Sequence, residues 1–262
     1  LLSGALATVE TWQWIFWAPA ILGGLLLPFL MIFFKDSPGD PLKIRENATE
    51  HKNSEQNPNW CSLWQLVKKT DMKFVVLACF AQAIVKEGIS LWAPTFFMES
   101  YGMDISKAAF YIIMIPVLNF LGITLVGGLI RKFPYKQEQL SILTFGIGIV
   151  FSICLYLFSK ANFIVAVLLL ASSSAAMYAA NTLLLGTYPM KYASCDRVSS
   201  VAGFLEFCSY IAAGVSMAVS GITAELIGWS GVILLWLAVM VIGLLSLLAA
   251  RKMNRKLEEI PQ

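Results

Sequence analysis

Charge is the scarcest property of this chain. Only 13% of its 262 residues are charged, whereas 58% are hydrophobic, and the mean hydropathy is +0.72. A soluble domain usually carries about 25% charged residues, so too little polar surface is present here to coat a water-soluble globule. The formal net charge of +3 gives no case for nucleic-acid binding. Composition therefore predicts a membrane protein with several spans.

Histidine and cysteine are also sparse. The single histidine, His51, lies in a polar stretch, and the five cysteines are scattered without a C-x-x-C spacing. A histidine-based metal centre or catalytic triad is therefore not available, and the odd, scattered cysteines argue against a disulfide scaffold or a metal site. We predict no metal, no cofactor and no enzymatic activity.

Long apolar runs, by contrast, are abundant. A helix of about 20 apolar residues crosses a bilayer, and seven runs reach roughly that length. They cover residues 12–34, 74–98, 108–130, 139–159, 163–190, 198–224 and 231–250. The chain opens Leu1-Leu2-Ser3-Gly4 without the basic start of a signal peptide, so we expect further chain to precede it. The predicted fold class is an all-α membrane protein with seven transmembrane helices.

The basic residues alternate between the two sides of these spans. Of the 19 lysines and arginines, 16 fall in residues 35–73, in the connections after the third and fifth spans, and in the C-terminal tail. The opposite connections hold only Lys107 and Lys160. The positive-inside rule places the basic segments in the cytoplasm of a cell-membrane protein. The predicted layout is a last helix of one half (1–34), a cytoplasmic loop (35–73), a six-helix domain (74–250) and a cytoplasmic tail (251–262).

Lys86 and Glu87 stand side by side in the second apolar run, about 18 Å into the membrane if that run begins at Phe74. Ionisable residues within a span are expensive and indicate a functional site. Three interpretations compete: Lys86 binds an anion, Lys86 forms a salt bridge with Glu206 or Glu87 that locks the helices, or Glu87 couples transport to protons. Adjacent helical residues diverge by about 100°, so we expect Glu87 to face a neighbouring helix and Glu206 to be the countercharge.

Other polar residues in the spans are weaker candidates. Glu206 could neutralise Lys86, exchange a proton or accept a structural hydrogen bond. Asn119 lies near mid-membrane after Pro116, and Gln82 lies one turn before Lys86 on the same face. The alternative for such residues, as for Tyr178 and Asn181 in the fifth span, is a hydrogen bond between helices.

Several stretches together resemble the C-terminal half of a major facilitator superfamily transporter, and more narrowly the organophosphate:phosphate antiporters. Lys35-Asp36-Ser37-Pro38 is similar to the start of that family's central loop. The run Lys86-Glu87-Gly88-Ile89-Ser90-Leu91-Trp92-Ala93-Pro94-Thr95 resembles its seventh helix, and Ser106-Lys107-Ala108 the start of its eighth. Ala202-Gly203-Phe204 and Gly228-Trp229 resemble the eleventh helix and its end.

The resemblance implies a part of a carrier that exchanges a sugar phosphate or glycerol phosphate for inorganic phosphate by alternating access. The first predicted span would be helix six of twelve, Lys86 would occupy the family's basic position, and the partners would be the bilayer and the missing N-terminal helices.

Three residues depart from the family pattern: Lys86 replaces the usual Arg, Arg131 replaces the usual Asp, and Glu206 is extra. Substrate-binding candidates are Lys86, Glu206, Glu87, Asn119 and Gln82. A hexose-phosphate receptor and a proton-coupled organic-anion symporter remain alternatives, and we expect the chain alone to be inactive.

Overall fold

A computed structural model describes residues 13–33, 71–133, 136–159, 162–195 and 197–258. Within these ranges the chain is helical and forms no β-strand. The predicted cytoplasmic loop lies outside the described residues except for its last three positions. The chain divides into two compact units, Leu1–Trp64 and Gln65–Gln262. The first unit contributes one described helix, α1 (Trp14–Phe33), which contains Pro19 and Pro28.

The second unit is a bundle of long apolar helices. Its elements are α2 (Met72–Tyr101), α3 (Ile105–Ile112), α4 (Met114–Lys132), α5 (Gln137–Phe158), α6 (Phe163–Asn181), a π-helical segment (Thr182–Thr187), a 3₁₀ segment (Tyr188–Cys195), α7 (Val198–Ile227) and α8 (Trp229–Glu258).

The all-α membrane fold is confirmed. Six segments of the described chain are long and apolar enough to cross a membrane, and each coincides with one of the last six predicted spans. The first predicted span is also a helix, but its apolar part, Pro19–Phe33, is shorter than the other six. At the other end α8 continues to Glu258, beyond the predicted end of the last span at Ala250.

One span is interrupted. The apolar segment Lys107–Lys132 is divided into α3 and α4 at Ile113. Pro116 explains the position of the break, because proline has no N–H to donate and its ring collides with the carbonyl group four residues earlier, here that of Ile112. In α4 the proline is the third residue, within the first turn, where no intrahelical donor is needed.

A second span changes its winding. The segment Phe163–Ala193 begins as α6, passes through the π-helical Thr182–Thr187 and ends in the 3₁₀ segment. Departures of this kind from α-helical winding are uncommon and are found often at functional sites. Here the change begins directly after Asn181, the last residue of α6.

Helix α2 lies in the interior of the bundle and packs against α6, α7 and α8. Small residues permit the closest approaches. A Cβ atom on Gly88 would lie 2.8 Å from both Ser216 Oγ of α7 and Trp236 Nε1 of α8. A Cβ atom on Gly122 of α4 would lie 2.8 Å from the carbonyl oxygen of Ala175 in α6. These contacts set the spacing and register of the helices.

A polar network joins the ends of four elements on the predicted cytoplasmic side. Asp71, which is 7% exposed, accepts hydrogen bonds from Tyr188 Oη at 2.9 Å and from Asn254 Nδ2 at 2.9 Å. Asn254 also donates to Glu138 at 2.8 Å, and Glu138 forms an ion pair with Lys191 at 2.8 Å. The network therefore ties the start of α2 to the start of α5, the 3₁₀ segment and the end of α8.

Candidate functional site

Lys86 lies midway along the 30 residues of α2 and carries its countercharge on the next residue. The distance from Lys86 Nζ to Glu87 Oε1 is 3.0 Å, and the two side chains are 15% and 28% exposed. The ammonium group is thus largely enclosed by protein while its carboxylate partner is more open. In the low dielectric of such a site, a charge interacts several times more strongly than it does in water.

This arrangement corrects two expectations. Glu206 is exposed on α7 and forms no ion pair with any described residue, so Glu206 is not the countercharge of Lys86 in this structure. Nor does Glu87 turn away to a neighbouring helix. The Cα–Cβ bonds of adjacent residues diverge by about 100°, but lysine and glutamate have long, flexible side chains that bend back toward one another. The direction of the backbone alone therefore does not predict where two such flexible side chains meet.

Helix α6 provides the wall that faces Lys86. The ring of Tyr178 faces the ammonium group, and its centroid lies 5.2 Å from Lys86 Nζ. A cation–π contact of this length stabilises the charge by about 0.5–2 kcal/mol. Ser90, one turn after Lys86, donates a hydrogen bond to the Lys86 carbonyl oxygen at 2.9 Å, and its Oγ lies 3.5 Å from Tyr178 Oη. The ammonium therefore contacts both the Tyr178 ring and the Glu87 carboxylate.

One turn before Lys86, Gln82 makes the second contact between α2 and α6. It is fully buried and donates from Nε2 to Asn181 Oδ1 at 3.0 Å. Its own Oε1 has no hydrogen-bond partner among the described residues. A buried polar atom without a partner costs about 1–3 kcal/mol, and since this oxygen has no exposed surface, a ligand could reach it only if α2 and its neighbours moved apart. Gln82, Lys86 and Ser90 thus form one polar stripe along α2.

Asn119 lies on α4 and is 7% exposed, with its Oδ1 also lacking a partner within the described chain. Helix α4 packs against α6, the helix that carries Tyr178 and Asn181. No hydrogen bond joins Asn119 to Gln82 or Lys86 in the described part of the protein. Lys86 and Glu87 are thus in direct contact and Gln82 lies one turn away on α2, whereas no hydrogen bond or ion pair within the described chain links Asn119 or Glu206 to them. The substrate-binding role of all five stays a prediction.

The cluster formed by Gln82, Lys86, Glu87, Ser90, Tyr178 and Asn181 contains three residues that the candidate set omits, namely Ser90, Tyr178 and Asn181. The polarity of Tyr178 and Asn181 within the fifth span is visible in the sequence, but their pairing depends on the register between α2 and α6. The two helices run antiparallel, so one turn forward along α2 corresponds to about one turn backward along α6: Gln82 contacts Asn181, and Lys86 contacts Tyr178. Either contact therefore predicts the other, but the amino-acid sequence alone does not show which residues of the two helices face each other.

The arrangement suits electrostatic binding. It offers one ammonium group, one carboxylate, an aromatic face and buried amide groups, all on the central helix or the helix opposite. A strongly hydrated lysine ammonium acts as a point charge for phosphate or carboxylate. Within the described residues, no group of three or more His, Cys, Asp or Glu side chains could hold a metal ion.

Comparison with protein families gives one match. Residues 1–217 match the model of the Major Facilitator Superfamily, which covers well over half of the chain and includes every residue of the cluster. No individual curated protein matches the sequence. The match reaches across the described helices from α1 into α7.

Proposed function

Since this chain belongs to the Major Facilitator Superfamily, we propose that it forms the C-terminal part of a twelve-helix secondary transporter for a small organic anion. The substrate is a sugar phosphate or glycerol phosphate, and it is exchanged for inorganic phosphate by alternating access. The missing wall of the site belongs to N-terminal helices of the same carrier. The carrier lies in the cell membrane with residues 35–73 and the C-terminus in the cytoplasm.

The observation that carries this proposal is the position of Lys86. A cation halfway along a membrane-spanning helix, 15% exposed and in contact with an aromatic ring, is costly to maintain. A structural lysine near a helix end could extend to the interface, but Lys86 is separated from both ends of α2 by about 20 Å. Binding of an anionic substrate accounts for a lysine at this position.

The chemistry of the neighbouring groups supports a phosphorylated polyol. Its phosphate group can bind Lys86, and its hydroxyl groups can donate to an acceptor such as Gln82 Oε1. Gln82 lies one turn, or about 6 Å, along α2 from Lys86, and its Oε1 is buried in this conformation, so the contact forms only when the site opens. A phosphate ester of a small sugar or of glycerol spans such a distance.

Replacing Lys86 with alanine in the complete carrier tests the proposal. Uptake of labelled glycerol phosphate into proteoliposomes loaded with inorganic phosphate should fall at least about 30-fold, because removing one partner of an enclosed charge pair costs roughly 2–5 kcal/mol. K86R retains the charge and should retain transport. The control is K107A, which removes an exposed lysine at the start of the next span and should transport normally. Undiminished uptake by K86A would show that the anion site lies elsewhere.

The same assay separates the alternatives. A receptor for hexose phosphate would bind the labelled compound without moving it across the membrane. A proton-coupled symporter would require a pH gradient and would ignore phosphate inside the vesicles.

A further inference from the structure

The span formed by α6 and the segments that follow it contacts α2 on both sides of the π-helical segment. Before that segment, Asn181 of α6 accepts a hydrogen bond from Gln82 Nε2 at 3.0 Å. After it, Tyr188 Oη donates to Asp71 Oδ1 at 2.9 Å. The π-helical segment therefore lies between two polar contacts with the same helix or with the residue directly before it.

Tyr188 joins the second of these contacts to the π-helical winding itself. Its backbone N–H donates to the carbonyl oxygen of Leu183, five residues earlier, which is the hydrogen bond that defines a π-helical turn. The same oxygen also accepts from Thr187 Oγ1 at 2.7 Å and from Gln137 Nε2 of α5 at 3.1 Å. A π-helical turn holds one residue more than an α-helical turn. If this turn rewound to an α-helix, the residues before it would rotate by about 100° against those after it.

The side chain of Asp71 serves this contact and does not cap its own helix. Asp71 stands at the N-cap position of α2, where an aspartate commonly binds the free N–H groups of the first turn. Its side chain nevertheless makes no capping hydrogen bond. The buried carboxylate accepts instead from Tyr188 and from Asn254 Nδ2. Lys86 lies 15 residues further along the chain, or about 22 Å along the helix, so Asp71 does not reach the ammonium group.

We propose that Asp71 is a positioning residue for the anion site. Through its hydrogen bond with Tyr188 it maintains the π-helical winding, and this winding turns Tyr178 toward Lys86. The inference rests on the proposed function, because it gives Asp71 a part in binding the transported anion. The ring centroid of Tyr178 lies 5.2 Å from Lys86 Nζ, less than one helical turn before the π-helical segment begins. Without the hydrogen bond to Asp71 the segment rewinds, and the ring rotates away from the ammonium group.

Calorimetry on the complete purified carrier tests the proposal, with inorganic phosphate as the probe. D71A and Y188F both remove the hydrogen bond between the two side chains. Each should weaken phosphate binding about 2- to 30-fold, the range that corresponds to loss of the cation–π contact. D71N keeps an oxygen that accepts from Tyr188, so it should bind phosphate like the wild type. Rescue by asparagine would assign the effect to the hydrogen bond and not to the charge of the carboxylate.

A double-mutant cycle provides the second readout. If Asp71 acts through the ring of Tyr178, D71A has nothing further to remove once that ring is gone. Adding D71A to Y178L should therefore change the affinity for phosphate by less than about twofold, whereas independent residues would give additive free energies. A full additional loss in the Y178L background would overturn the inference.

Two control variants separate positioning from general loosening of the bundle. N254A removes the other hydrogen bond to the Asp71 carboxylate. S152A removes the hydrogen bond of 2.8 Å between Ser152 Oγ and Ser173 Oγ, which joins α5 to α6. Each control loses a contact between helices, as D71A does, but neither loses the hydrogen bond of Tyr188. Both should bind phosphate like the wild type.

The outcomes distinguish this inference from the proposed function. If the wild type does not bind phosphate, the assignment of a phosphate-exchanging carrier is wrong. If the wild type, D71A and Y188F bind phosphate equally well, the carrier stands and the positioning role of Asp71 is wrong. If N254A or S152A weakens binding as much as D71A, the loss reflects a loosened bundle, and the inference is again overturned. Should D71A fail to fold, Y188F and D71N decide between the same outcomes.

Discussion

Replacing Gly88 with alanine tests how tightly α2 is held against α7 and α8. The added Cβ atom would lie 2.8 Å from Ser216 Oγ and 2.8 Å from Trp236 Nε1, whereas ordinary contacts of Cβ atoms lie at 3.4–4 Å. The helices must therefore separate by about half an ångström or more at this level. Ser216 also donates to the Ile84 carbonyl oxygen at 2.5 Å, and that hydrogen bond would be strained by the separation.

The magnitude follows from overpacking. Forcing an extra methyl group into a filled interior costs about 1–3 kcal/mol, whereas replacing a helical glycine with alanine by itself gains about 1 kcal/mol. A matched control removes the second effect. Gly146 of α5 is also helical, but a Cβ atom there has no neighbour within 4 Å. The G88A carrier should therefore be about 1–3 kcal/mol less stable than the G146A carrier.

Thermal unfolding in detergent measures this difference. Cys79 and Cys208 are free and buried, so a maleimide dye that reacts with newly exposed thiols reports the unfolding of the bundle. For a domain of this size the expected difference in Tm between G88A and G146A is roughly 2–12 °C. Equal melting temperatures for the two variants would refute the claim that Gly88 sets the approach of these helices.

Two further substitutions address individual contacts. Y178L should weaken the binding of inorganic phosphate about 2- to 30-fold, since it removes the ring below Lys86, whereas Y178F should bind normally; equal losses in calorimetry would assign the role to the hydroxyl group. Y188F leaves the buried Asp71 carboxylate with one hydrogen bond fewer and should destabilise the carrier by about 1–3 kcal/mol in the thiol assay. Y156F, at an exposed site, should change stability by less than about 0.5 kcal/mol, and the prediction is wrong if Y188F does no more.

The fold was largely predictable because hydropathy is a local property. Each of the last six predicted spans coincides with a helical segment long enough to cross a membrane. The structure differs from the predicted spans in the winding of two helices and in where some helices end. The break at Ile113 follows from Pro116 and could have been anticipated from proline chemistry, whereas the π-helical Thr182–Thr187 carries no comparable signal. The 3₁₀ segment and the extension of α8 were likewise not indicated by apolar length.

The site was predictable only in part. The sequence placed Lys86 and Glu87 near the middle of a span, because a charge in an apolar run is visible without any structure. It did not show which carboxylate pairs with Lys86, since side-chain flexibility outweighs the divergence of neighbouring residues on a helix. It also did not show that Tyr178 faces the ammonium, because that contact depends on the register of α6 against α2.

By itself, then, the sequence determined that this is a multi-span helical membrane protein with two adjacent charged residues near the middle of one span. Both conclusions rest on the transfer of individual side chains between water and lipid, which depends little on the rest of the chain. The tertiary structure decided which side chains contact one another. Close approaches at Gly88 and Gly122 fix how α2 packs against α7 and α8 and how α4 packs against α6. The packing of α2 against α6 brings Gln82 to Asn181, and the ion pair of Lys86 forms with Glu87 and not with Glu206.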